Sequence, residues 1–191
     1  SLSFSSFSFW FDVIYLFSNI YLININISIP SKSIVAFVGP SGSGKSTILD
    51  LITKLRLQQK GSILINDINV EDYENSSLRN NISFASQKPN IINGSIKDYI
   101  KFGNYSTTSY NLDEVLRLSD LKEFVKELPN GLDTLIKEDS NNLSGGQIKK
   151  LDIARAIYEN KSILIVDEPS TSLDIPSQKI IMDSLFFIHK K

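Results

Sequence analysis

The sequence predicts an α/β fold: a parallel core sheet around a glycine-rich loop, an antiparallel N-terminal β-subdomain and an inserted helical subdomain. Three observations predict it. A β-branched run, Ile34-Val35-Ala36-Phe37-Val38, enters a glycine-rich loop, Gly39 to Thr47, which opens an apolar helical pattern. A continuous apolar run, Ile163-Leu164-Ile165-Val166, has the character of a strand buried in a parallel sheet and ends in Asp167-Glu168. Between the two, from Ser95 to Leu128, the apolar residues fall at helical spacing.

The chain in order supports these assignments. Phe7, Phe9 and Phe11 alternate with Ser8 and Trp10, a strand pattern. Ile23, Ile25, Ile27 and Ile29 alternate with Asn24, Asn26 and Ser28, a second strand that Pro30 ends. After the glycine loop and its helix, Gly61 to Asn66 reads as a short strand with a turn at Asn66-Asp67. Ser76 to Asn80 reads as a short helix, and Ile82 to Ser86 as a strand ending at Gln87. Asn130-Gly131 marks a turn after the helical block. A helix follows Gln147, and a last one runs from about Ser177 to the end.

Bulk properties set limits. The 191 residues suit one domain with a substantial core. The net charge of −1 gives no argument for a nucleic-acid partner. The absence of cysteine excludes disulfides and thiolate metal sites. No apolar run reaches the length of a membrane span, and the N-terminus lacks the basic start of a signal peptide. A chain that begins with Ser1 is expected to be a piece of a longer product or a processed one.

The glycine loop carries the chemistry. Gly39-Pro40-Ser41-Gly42-Ser43-Gly44-Lys45-Ser46-Thr47 fits G-x-x-x-x-G-K-[ST] between strand and helix. Gly39, Gly42 and Gly44 let the backbone curl and turn its N–H groups inward, towards phosphate oxygens at the helix start. Lys45 adds a point charge for the β/γ-phosphates, and the Ser46 hydroxyl can ligand Mg²⁺. Asp167, at the end of a buried strand, is where a second Mg²⁺ partner is wanted, and Glu168 suits a general base holding the attacking water. Leu143-Ser144-Gly145-Gly146-Gln147 before a helix makes a second anion site from backbone amides and the Ser144 hydroxyl. Two phosphate-binding helix starts in one chain point to a head-to-tail dimer, each nucleotide held between one loop and the partner's Ser144-Gly145-Gly146.

On these residues the chain resembles the nucleotide-binding domain of ATP-binding cassette (ABC) transporters, over nearly its whole length. Gly39 to Thr47 resembles Walker A, Leu143 to Gln147 the LSGGQ signature, Ile163 to Glu168 Walker B, and Thr171 to Asp174 the D-loop. Gln87 resembles the Q-loop glutamine, which in the family touches Mg²⁺ and the membrane domains. Asn93-Gly94-Ser95-Ile96, Pro129 to Thr134, and Glu138 as an X-loop acid resemble the exporter branch. The resemblance implies a P-loop ATPase that binds ATP and Mg²⁺, dimerises around ATP and powers transmembrane export. It implies Glu168, Gln87 and Lys45 as catalytic, and Ser46, Gln87 and Asp167 as Mg²⁺ ligands. It implies Gly39, Ser41, Gly42, Ser43, Gly44, Lys45, Ser46, Thr47, Gln87, Ser144, Gly145, Gly146 and Gln147 as ATP-binding. An aromatic side chain stacks on adenine in the family. Tyr15 lies nearest the expected spacing, with Trp10 and Tyr21 as rivals.

The implied partners are a second nucleotide-binding domain and transmembrane domains at the cytosolic face of a membrane, as part of an integral transporter. The implied organisation is one domain over 1–191: a β and P-loop core to about 90, a helical subdomain over about 91–158, and a Walker B core over 159–191. A non-hydrolysing subunit of a heterodimer and a soluble ABC ATPase are the alternatives. Several positions depart from the family pattern: Ser33 and Lys137 stand where glycine is usual, Lys149-Lys150 and Asp152 replace the usual run after the signature, and Pro169 is less typical of exporters. The family's switch histidine has no counterpart, since His189 comes too soon after Asp174 and reads as a surface residue. The chain is therefore expected to be C-terminally incomplete.

Overall fold

The computed structural model describes residues 2–3, 11–15, 22, 25–102, 110–138 and 142–189. They divide into two compact units, one up to Asn80 joined by His189, the other from Asn81 to Ile188.

The first unit opens with β1 (Leu2–Ser3), β2 (Phe11–Tyr15), β3 (Ile27–Ser28) and β4 (Ile34–Val38). β1 pairs with β3 and β2 with β4, both in parallel. The antiparallel pairing expected near the N-terminus therefore does not involve β1 or β2. The chain between Tyr15 and Ile34 is long enough for the crossover that a parallel pair needs. The turn before β4 is closed by the Ser33 hydroxyl, which donates to Pro30 O at 2.6 Å. Its left-handed residue is Lys32 (φ 54), so position 33 does not require a glycine's backbone freedom.

α1 (Lys45–Ile52) buries Ile48 and Ile52, one turn apart on one face. The hairpin of β5 (Leu64–Ile65) and β6 (Ile68–Asn69) turns at Asn66 (φ 50) and Asp67 (φ 64). Positive φ at both central residues is the type I′ geometry, which Asn and Asp accept better than other side chains. α2 (Asn75–Asn81) buries Leu78 and ends at the unit boundary.

The second unit contains β7 (Ile82–Ala85), β8 (Gly94–Ser95), α3 (Ile96–Lys101), α4 (Leu112–Leu118), α5 (Lys122–Glu127), β9 (Leu135–Ile136), α6 (Gly145–Glu159), β10 (Ile163–Val166) and α7 (Ile175–His189). β7 and β10 pair in parallel, from Ile82 opposite Ile163 to Ala85 opposite Val166. β8 and β9 form a small antiparallel pair beside α3. The helical block is cut into pieces by its caps. Ser95 and Asp98 form a capping box at α3, and Asn111 accepts from Glu114 N at α4. α6 packs against α3, α4 and β7. Its Leu151, Ile153 and Ala154 meet Ile96, Ile100, Val115 and Leu118 in the core. Asn160 in left-handed backbone (φ 46) ends α6. No helix among the described residues is long and apolar enough to cross a membrane.

Candidate functional site

The glycine loop leaves β4 at Val38, opposite Tyr15 at the end of β2. The backbone of Tyr15 is thus adjacent to the loop entry, while Trp10 and Tyr21 lie outside the described residues. Gly42 (φ 79) and Gly44 (φ 91) take left-handed backbone, which is what curls the loop. Gly44 is also hemmed in. A Cβ there would sit 2.6 Å from Leu22 Cδ2. α1 (Lys45–Ile52) is preceded by Gly44, which has no side chain to cap the N–H groups of its first turn. Lys45 Nζ donates to Gly39 O and Pro40 O, both at 2.8 Å, and lies 3.5 Å from the buried Ser43 hydroxyl. The ammonium is therefore held over the curled loop rather than extended into solvent. Ser46 and Thr47 lie in the first turn of α1 beside it.

In the second unit the register of β7 and β10 places Gln87 and Glu168 two residues beyond the paired Ala85 and Val166. Asp167 N donates to Ala85 O at 2.9 Å, extending the pairing by one step. Gln87, Asp167 and Glu168 therefore emerge together at the C-terminal end of one parallel pair, where α/β folds carry their ligands. Asp167 is buried and Gln87 exposed. Glu168 has left-handed backbone (φ 48), and its carboxylate accepts from the Thr171 hydroxyl at 2.7 Å. Behind these strand ends lies the buried Lys149. Its ammonium donates to Ser86 O at 2.8 Å and to Asp167 O. Burial pushes it below the ordinary lysine value, and Asp152, Asp167 and Glu168 pull it back up.

The signature forms the start of α6. The Ser144 hydroxyl accepts from Gln147 N at 3.2 Å, and Gln147 Oε1 accepts from Ser144 N at 2.8 Å. This capping box settles the Gln147 side chain back on the helix end. Gly145 and Gly146 occupy the first turn, where N–H groups precede the helical ladder. Gly146 abuts the D-loop: a Cβ there would lie 2.9 Å from Ser172 O. Signature and D-loop together line an open pocket of about 470 Å³, bounded by Ser144 to Gln147, Lys150, Ser172 to Asp174 and Ser177. The Ser177 hydroxyl and N–H hold the Asp174 carboxyl below its ordinary value. Glu138 is tied by its N–H to the Asn93 side chain at 2.9 Å.

Within each unit, then, the residues expected to act together are neighbours: Gly39 to Thr47 in one, and Gln87 with Asp167 and Glu168, and Ser144 to Gln147 with the D-loop, in the other. Sequence reasoning missed Leu22 behind Gly44, the Ser172 carbonyl against Gly146, and the hydrogen bonds of the buried Lys149 to Ser86 O and Asp167 O. Only Lys149 left a trace in the sequence, as a departure from the usual run after the signature. His189 ends α7 and is partly buried rather than fully exposed.

Residues 22–171 match the family model described as ABC transporter. The chain is 39% identical over 165 residues to an ATP-dependent lipid A-core flippase of Haemophilus influenzae, covering 85% of this chain and 28% of that protein. It is 38% identical over 167 residues to a putative multidrug export ATP-binding/permease protein of Staphylococcus aureus, covering 87% and 29%. Among solved structures it is similar to a bacterial Atm1-family ABC exporter with ATP bound, with TM-score 0.76, 25% identity, and coverage of 94% of this chain and 28% of that one. The chain thus spans under a third of the length of these relatives.

Proposed function

The chain belongs to the ABC transporter family, and we propose that it is the ATP-binding, ATP-hydrolysing domain of an exporter. The observation that carries this reading is the start of α1. Its N-cap is a glycine in left-handed backbone that has no room for a Cβ, with the Lys45 ammonium held over the loop. Such a cradle fits phosphate oxygens. The Ser46 hydroxyl and the Asp167 and Gln87 side chains supply the hard oxygen ligands that Mg²⁺ takes. Mg²⁺ bound with ATP would draw charge from the phosphates as the terminal bond breaks.

In this reading Gly39, Ser41 to Thr47 and Lys45 hold the phosphates, and Tyr15 stacks on adenine. Glu168 takes a proton from the attacking water while Gln87 orients that water, and the bridging oxygen leaves with ADP. Ser144, Gly145, Gly146 and Gln147 complete the site of a second nucleotide-binding domain in a head-to-tail dimer. All of this lies in one domain over 1–191, with subdomains at about 1–90, 91–158 and 159–191. The similarity to a lipid A-core flippase and to a putative multidrug export ATP-binding/permease protein supports an export role at the cytosolic face of a membrane, with transmembrane domains as partners.

The test is Mg-ATP turnover by the intact protein. Turnover that Glu168→Gln abolishes while ATP binding persists supports the assignment. Undiminished turnover in that variant removes Glu168 as the base.

A further inference from the structure

α6 carries two charges inward. Lys149 and Asp152 are each only 2% exposed. Burying a charge is costly unless it is paired and hydrogen-bonded, and here the bonds go to the strand ends behind Gln87 and Glu168. Lys149 Nζ donates to Ser86 O at 2.8 Å and to Asp167 O. Asp152 Oδ2 accepts from Ser86 N at 2.8 Å, and its Oδ1 accepts from the Tyr99 hydroxyl at 3.2 Å and from Arg155 Nη2 at 2.7 Å. Ser86 is therefore clamped at both its N–H and its carbonyl.

The two carbonyls that Lys149 takes are informative. Ser86 O belongs to the peptide whose N–H is that of Gln87. Asp167 O belongs to the peptide whose N–H is that of Glu168. The plane of each peptide sets φ of the residue after it. Glu168 sits at φ 48, a region that non-glycine residues occupy only when their surroundings impose it. One ammonium thus anchors the backbone immediately before both residues proposed to handle the attacking water.

We propose that Lys149 is a positioning residue that sets Gln87 and Glu168 jointly, with Asp152, itself paired with Arg155, as the second half of the clamp. This rests on the hydrolytic reading given above. Lys149 touches no substrate and acts through the two peptides. It also lies on the helix that Ser144 caps and that Gly145 and Gly146 begin. A displacement of the α6 start by a nucleotide at the signature is passed through a single helix to Gln87 and Glu168. The signature would serve the partner's nucleotide while Glu168 serves its own, so the clamp links two ATP sites.

The experiment compares wild type, Lys149→Met and Lys149→Arg in the intact protein by amide hydrogen exchange and by Mg-ATP turnover. Met removes the donors, and Arg155 still neutralises Asp152. In Lys149→Met, exchange at the Gln87 and Glu168 amides is expected to rise by about tenfold or more, while the α6 amides from Ile153 to Ile157 stay protected. Turnover is expected to fall roughly 10- to 100-fold, the scale seen when a group that orients a functional residue is lost. The fall should lie in kcat, with KM for ATP within about threefold of wild type. Lys149→Arg, which keeps a donor, should recover part of both effects. Unchanged exchange at Gln87 and Glu168, or kcat within about twofold of wild type, would overturn the proposal. So would exchange that rises across all of α6 and is not restored by Lys149→Arg, because Lys149 would then be a folding residue only. A wild-type protein without turnover refutes the hydrolytic reading instead, and the exchange result still decides whether the clamp exists.

Discussion

Gly146 and Ser172 meet backbone to backbone: a Cβ on Gly146 would stand 2.9 Å from the Ser172 carbonyl oxygen. Neither partner can yield by rotating a side chain. The neighbouring Gly145 is different, because a Cβ there would meet Ser172 Cβ at an ordinary 3.8 Å.

Two substitutions one residue apart should therefore have opposite signs. Gly146→Ala gains up to about 1 kcal/mol of helix propensity but overpacks the D-loop at a cost of roughly 1–3 kcal/mol. The net expectation is destabilisation and a lower melting temperature. Gly145→Ala keeps the propensity gain without the clash and is expected to melt at or above the wild-type temperature. Equal shifts in both variants would contradict the close contact.

Gly44 is constrained twice, by its φ of 91 and by Leu22. Gly44→Ala should destabilise by about 1–3 kcal/mol through backbone strain, with the clash added. Leu22 is a side chain and can give way. The double variant Gly44→Ala, Leu22→Ala should remove the clash, so its cost should be less than the sum of the two single costs in a melting series. Additive costs would mean that Leu22 does not crowd the loop.

How much of this was legible follows from what was contiguous. Gly39 to Thr47, Leu143 to Gln147 and Ile163 to Glu168 are continuous stretches, and each motif states its own local geometry. The turn at Asn66-Asp67 and the helical block were legible because turn chemistry and helical period are local. The clamp was not. Lys149 to Ser86 and Asp152 to Ser86 join residues 63 and 66 positions apart, and no local pattern records such a meeting. The parallel pairings of β1 with β3 and of β2 with β4 are not legible for the same reason, since alternation marks a strand but not the direction of its neighbour.

Asp98 gives a pH signature. The Ser95 hydroxyl and N–H bond its carboxylate at 2.6 and 3.1 Å and hold it below its ordinary value of 3.8. A carboxyl lowered on folding contributes stability above its unfolded value, and that contribution disappears as pH falls through the folded value. Asp98→Asn should therefore melt below wild type at neutral pH. The gap should begin to narrow as pH drops towards 3.8 and close at still lower pH. A gap independent of pH would show that the α3 capping box does not depend on the charge.

The most direct measurement is the nucleotide left on the intact Glu168→Gln protein after incubation with Mg-ATP and gel filtration, read beside phosphate release. The account predicts retained, unhydrolysed ATP and no phosphate release, whereas wild type releases phosphate and retains little ATP. Phosphate release by Glu168→Gln at the wild-type rate, or no ATP retained by either protein, would contradict it.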